Sequence, residues 1–396
     1  MYLSNPENKQ DYFNPSVTMK KNKRPLGKFI LVALLVVLIL PVLTGKSYLY
    51  KAVVYNFAGI DDYTIFDNHS IPASQPVPWR FSAQYGQIKI PDTLEQYLTS
   101  LKSIALLVVQ NREIVVEKYW NGYSDSSLSN SFSIAKSISS LLIGAAIHEG
   151  KIGSVNDPVG KYLPGFAEGG KAKVKVVDLL TMSSGSDWNE SYANPFSVTT
   201  ELYYGADVYK TATGINIIKT PGTYHSYKSG DTQLLGLIVE KATGKSLSAY
   251  AAEKLWQPLG AEHNALWSTD KQGGHEKAYC CFNSNARDFA RIGQLMLDSG
   301  KINGIPVIDR SYFQRSITPC LIKDESNKPC NYYGYQWWIL PDQQNIFYAR
   351  GILGQYIICI PSINMVIVRL GEERDEKINN VPREVNALIS WAQALK

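Results

Sequence analysis

The 396-residue chain is poor in the residues that hold metals and disulfide frameworks, with five cysteines and five histidines. The cysteine spacing fits neither a stapled scaffold nor a zinc motif. Cys280 and Cys281 are adjacent, and Cys359 sits in an apolar run. Cys320 and Cys330 flank a polar loop that a disulfide could close in an oxidising compartment; two unrelated thiols are the equal alternative. His69, His148, His225, His263 and His275 show no H-E-x-x-H or other metal spacing and read as structural or exposed. A glycine-rich phosphate loop and a G-x-S-x-G elbow are missing too. No basic stripe carries interleaved aromatics, which argues against nucleic acid as a partner. The expectation is no metal, no organic cofactor and no nucleic acid.

What the chain does have is apolar and aromatic bulk. Apolar residues make up 45 % and charged residues 19 %, the balance of a globular protein, and 25 tyrosines with eight tryptophans can line a cleft with rings. The net charge of +5 is concentrated between Lys9 and Lys28. Phe29 to Leu43 follows as an uncharged apolar run, and with its flanks reaches the ~20 residues that span a bilayer. The cluster Lys20-Lys21-Asn22-Lys23-Arg24 before it predicts a cytoplasmic N-terminus. A cleaved signal is the competing reading, but the preceding tail is long and no A-x-A site follows. The expected organisation is a cytoplasmic tail (1–24), a transmembrane anchor (25–45), a proline-containing connecting segment (46–102) and an extracytoplasmic domain (103–396), periplasmic or extracellular.

Within that domain Ser103 to Tyr119 reads as a β-hairpin around Gln110-Asn111-Arg112. A helix is predicted from about Ser133 to His148, closed by Gly150. Residues 151–300 are mainly helical, clearest at Thr232–Thr243 and at Ala286–Leu297, where Asn285 precedes Asp288 as in a capping box. Short strands return after residue 330, and a last helix runs from about Pro382 to Ala394. Strands at both ends with helices between predict an α+β fold: an antiparallel sheet flanked by helices, with an inserted mainly helical region.

Three elements carry chemistry. Ser133-Ile134-Ala135-Lys136 opens a helix, so positions i and i+3 share a face and an amine can reach the hydroxyl. The helix N-terminus adds free N–H groups where an oxyanion would form. Serine needs a base, and lysine becomes one when burial lowers its pKa. Tyr227-Lys228-Ser229 lies on a loop before a helix, where a phenol can relay a proton. Arg350-Gly351-Ile352 stands where a strand enters a glycine turn, and a backbone N–H there can join that of Ser133 in an oxyanion hole. Trp337 and Trp338 alternate across a strand, one toward a cleft and one toward the core.

In this order, and with SFSIAKSISSLLIG (131–144), VVDLLTMSSGSDWNE (176–190), PGTYHSYKSGDTQLLG (221–236) and YYGYQWWI (332–339), the chain resembles the serine β-lactamase-like superfamily. The resemblance is to its branch of class C β-lactamases, penicillin-binding proteins, esterases and nylon-oligomer hydrolases, and runs from about Ser103 to the end. It implies an acyl-enzyme on Ser133, proton transfer by Lys136 and Tyr227, and oxyanion donors at Ser133 and Ile352. Ser229, Arg350, Gly351, Trp337, Trp188, Tyr192 and His225 are expected to border the substrate, with Asp187 nearby. Two departures matter. Ser229 stands where many relatives have Asn, and Ala349-Arg350-Gly351 replaces Lys-Thr-Gly, which disfavours efficient β-lactam hydrolysis. The implied activity is cleavage of a small ester or amide. A penicillin-binding D-amino-acid peptidase and a silent binding scaffold are the alternatives, and the intact Ser133, Lys136 and Tyr227 argue against the scaffold.

Overall fold

Ile104 to Val109 is apolar at every position because both sides of it are covered. A computed structural model, which describes residues 26–341, 343 and 345–395, places Ser103–Gln110 well inside a seven-stranded sheet. The strand order is Trp338–Ile339, Phe347–Gly351, Gln355–Ile360, Met365–Gly371, Ser103–Gln110, Glu113–Tyr119, Arg80–Phe81. All neighbours pair antiparallel except the last, where Arg80 runs parallel beside Glu113. Ala105, Leu107 and Val109 enter one core and Leu106 and Val108 the other. A strand buried on both faces loses the polar alternation of a half-exposed one.

The first core lies beneath the helices Ile134–His148, Ser229–Thr243 and Ala286–Leu297; the second lies beneath Asp92–Ser100 and Arg383–Gln393. Ala286–Leu297 begins where the capping signal predicts, with the Asn285 side chain accepting from the Asp288 N–H at 2.9 Å. The α+β expectation, a sheet flanked by helices with a mainly helical region inserted, holds. Two strands also occur inside that region, Ala265–Ser268 and Phe282–Ser284, and with Asn68–Ile71 and Ser129–Asn130 they make a second, four-stranded sheet.

The segment 46–102 does more than connect. It supplies a strand to the seven-stranded sheet and one to the four-stranded sheet, a helix at Tyr48–Tyr55 and the helix Asp92–Ser100, and it belongs to the compact unit that starts at Tyr48. Its prolines disguise this: Pro91 immediately precedes a helix, where the missing N–H is harmless.

Residues 26–47 belong to a separate unit. It contains the helix Leu26–Leu43, with Pro41 inside it. Eighteen residues rise only about 27 Å against a hydrocarbon core of ~30 Å, and among the described residues no helix is long and apolar enough to cross a membrane. The expected tail 1–24 lies outside the described residues.

Candidate active site

Ser129–Asn130 of the smaller sheet leads straight into the turn that carries Ser133. Asn130 Oδ1 accepts from the Phe132 N–H at 2.9 Å, and the Ser131 N–H donates to Phe282 O at 2.8 Å. Between these anchors Phe132 is held at φ +44°, a left-handed conformation rare for an aromatic residue. Ser133 therefore stands at the N-terminus of Ile134–His148, half-buried at the end of a sharp turn.

One turn on, Lys136 is fully enclosed. Its Nζ donates to Ser133 Oγ at 3.2 Å, to Ser229 Oγ at 3.1 Å and to Tyr279 O at 2.9 Å. Burial lowers its pKa to about 8, against an opposing pull from Glu190. The amine is therefore partly neutral near physiological pH, as a general base requires. The Tyr227 ring lies 5.2 Å from Lys136 Nζ, and the Ser133 side chain is close enough to its phenol to influence its ionisation. Burial drives the Tyr227 pKa up, with the Ser133 contact opposing it, so the phenol keeps its proton.

Glu190 was invisible in the sequence, where an acid in a polar loop reads as solvated. It accepts from the Ser229 N–H at 2.7 Å and from Ser229 Oγ at 2.6 Å. Those bonds place a carboxylate at the N-terminus of Ser229–Thr243, where the helix dipole favours it. Trp188 Nε1 and the Tyr192 hydroxyl also donate to it, at 2.8 and 2.5 Å. The only local clue is its position between Trp188 and Tyr192.

Ser133 lies between two cavities. The first, ≈ 630 Å³, is walled by Phe132, Tyr192, Tyr203, Tyr204, Tyr279 and Leu353; the second, ≈ 340 Å³, is polar, with Tyr227, Glu325, Arg350, Arg374 and Lys377 on its walls. Tyr192 and Ile352 border both. His225 and Gly351 border the polar one, and Ser229 the apolar one. Arg350 lies 3.4 Å from the centre of the Trp338 ring and donates to Asn380 O at 3.0 Å, so its guanidinium is oriented by a cation–π contact and a backbone carbonyl. Gly351 has a steric reason: a Cβ there would come within 2.3 Å of Ser131 O. The turn after it is braced by buried Arg369, which donates to Leu353 O at 3.2 Å and Gly354 O at 2.8 Å.

Three expected contacts move. Trp337 is wholly buried against Phe347 in the core, and Trp338 takes the cleft side instead, stacking on Tyr332. Trp188 stands behind the cleft, its ring pressed on Gly230 and its N–H on Glu190. Asp187 is tied to Asn216 rather than to the site. Cys280 and Cys281 are joined by a disulfide that their adjacency did not suggest, and Cys320 and Cys330 are free thiols, one of the two readings open for them.

A serine at a helix start, bonded to a buried amine and open to two cavities, defines a serine hydrolase of the S-x-x-K class. The family described as Beta-lactamase matches residues 90–380, and the chain belongs to it. It is 30 % identical over 304 residues to the 6-aminohexanoate-dimer hydrolase of Paenarthrobacter ureafaciens, covering 72 % of this chain and 76 % of that one. Among solved structures it is similar to "Putative 6-aminohexanoate-dimer hydrolase from Bacillus anthracis" (TM-score 0.71, 23 % identity, 84 % and 90 % of the two chains). A family VIII carboxylesterase has TM-score 0.60 and 18 % identity, covering 76 % and 95 %. At those identities the structures speak for the fold alone.

Proposed function

We propose that this enzyme hydrolyses an amide or ester of a small amphiphilic acid through an acyl-enzyme on Ser133. The observation that carries the reading is the buried Lys136 amine, lowered to about 8 and bonded to Ser133 Oγ. Neutral Lys136 takes the hydroxyl proton as Oγ bonds to the substrate carbonyl carbon. The N–H groups of Ser133 and Ile352 hold the oxyanion. As the tetrahedral adduct collapses, Tyr227 passes a proton to the departing nitrogen or oxygen and is resupplied from Lys136. Water then attacks the acyl carbon by the same relay and releases Ser133.

The two cavities suggest the substrate's shape. An aliphatic or aromatic portion suits the tyrosine-lined cavity, and a carboxylate suits Arg350 with Arg374 and Lys377. A dimer of an ω-amino acid, as in the 6-aminohexanoate dimer for which the Paenarthrobacter relative is named, has both features. In the helix Leu26–Leu43 the side chains of Phe29, Ile30 and Leu31, those from Leu34 to Leu40, and those of Val42 and Leu43 are exposed. With the basic cluster before them they support a membrane anchor that leaves the catalytic domain extracytoplasmic; resistance to alkaline carbonate extraction tests it.

The first experiment is labelling with a fluorophosphonate, mapped by mass spectrometry, beside turnover of the 6-aminohexanoate linear dimer and a short-chain ester. An adduct on Ser133 that Ser133→Ala abolishes is expected. Labelling by a fluorescent penicillin would move the assignment to a D-amino-acid peptidase. No adduct on folded protein would leave only a scaffold.

A further inference from the structure

Behind the loop that carries Tyr227 lies a group of side chains to which the hydrolase mechanism gives no step, although His225 also touches the polar cavity. His225, Cys320 and Cys330 bring their donor atoms within 4.8 Å of one another. His225 and Cys330 are buried, Cys320 half-buried. We propose that His225, Cys320 and Cys330 bind one zinc ion that clips the Tyr227 loop to the loop between Cys320 and Cys330.

The geometry is already close to a ligand set. Zinc bonds of about 2.3 Å to sulfur and 2.0–2.1 Å to nitrogen place tetrahedral donors roughly 3.5–3.8 Å apart, so small side-chain rotations suffice. His225 Nδ1 lies 2.9 Å from Thr181 O, a carbonyl that can only accept, so Nδ1 is the donor and Nε2 is the nitrogen left to face a metal. A ligating imidazole usually shows this arrangement, its second nitrogen tied to a carbonyl. Tyr332 and Tyr333 pack against the ring at 5.7 and 5.2 Å and fix its plane.

The backbone holds the three residues in place without the ion. His225 N donates to Lys323 O at 2.7 Å, Cys330 N to Ile322 O at 2.8 Å, and Cys320 N to Tyr333 O at 2.9 Å. Two sulfurs and one imidazole are soft and borderline donors, a set that favours zinc over magnesium or calcium. Binding releases the two thiol protons, and the resulting thiolates balance the charge of Zn²⁺. Water completes the fourth position. The sequence hid the site because His225 and Cys320 are far apart in the chain and no short motif joins them.

The test is metal analysis of the intact protein purified without chelator, together with Co²⁺ reconstitution. About one equivalent of zinc is expected, and Co²⁺ should give a thiolate charge-transfer band with the visible spectrum of a tetrahedral site. Cys330→Ser and His225→Gln should each lose the metal and the band. Ser133→Ala should keep both, which separates this result from the fate of the hydrolase reading. Metal-free wild-type protein with both thiols titratable would overturn the proposal. So would a peptide in which Cys320 and Cys330 are joined by a disulfide.

Discussion

Replacing Glu190 with glutamine should move the acid limb of the pH–rate profile downward. In the wild type, kcat/KM should rise with pH through about 8 as Lys136 loses its proton. Glu190 opposes that loss. Its carboxylate and the Lys136 amine share Ser229 Oγ, at 2.6 and 3.1 Å, so the two charges are within about 6 Å. At an effective dielectric of ~20, unit charges about 6 Å apart attract by roughly 3 kcal/mol, or about two pKa units. Glu190 is only half-buried, and solvent screening reduces this to about one unit. The sign follows directly: removing the negative charge disfavours the ammonium, so the base is free at lower pH. Glu190→Gln keeps the side-chain shape and an oxygen for the Ser229 N–H. The assay is fluorophosphonate labelling rate between pH 5 and 10, which reads Ser133 without needing the natural substrate. A limb that stays in place or moves upward would refute Lys136 as the titrating base.

Three further outcomes are expected. Gly351→Ala drives a Cβ within 2.3 Å of Ser131 O; it should cost about 1–3 kcal/mol in denaturant unfolding and slow labelling by roughly 10²-fold through displacement of the nucleophile turn. Arg369→Met strands the carbonyls of Leu101, Leu353, Gly354 and Glu373 and should destabilise by about 3–5 kcal/mol in the same assay, with a labelling loss if the turn after Gly351 relaxes. Asp231 is raised to about 7 by burial, although Ser184 Oγ donates to it at 2.6 Å. A carboxyl raised on folding contributes stability that is lost as pH rises from about 4 through 7, so Asp231→Asn should gain in Tm over the wild type across that window and hold the gain above it; equal pH dependence of the two proteins would refute the burial argument.

The elements of the candidate site were readable because they are local. Ser133 and Lys136 are one helical turn apart, Tyr227 sits between a turn and a helix, and Asn285 announces its helix by a cap. Ser229–Thr243 nevertheless starts three residues before its predicted Thr232, since the carboxylate that stabilises its first turn comes from Glu190, far back in the chain. Trp337 and Trp338 show the limit more sharply. Alternation separates the two faces of a strand, but on a sheet covered on both sides it does not tell which face meets the cleft. His225 with Cys320 and Cys330, like the strands within 46–102, depends on long-range pairing that no window of sequence contains.

The central sheet also sets when this enzyme can exist. Ser103–Gln110 pairs with Met365–Gly371, which is made far later. Arg369, on that late strand, braces the glycine turn beside Ser133. Distant pairings of this kind form slowly, and a growing chain cannot close them until the later strand has been made. Until then the helix Ile134–His148 has no braced glycine turn beside its first residue. A chain interrupted before Met365 carries the whole S-x-x-K motif without the arginine that holds that turn, so the site is assembled only after this late strand joins the sheet.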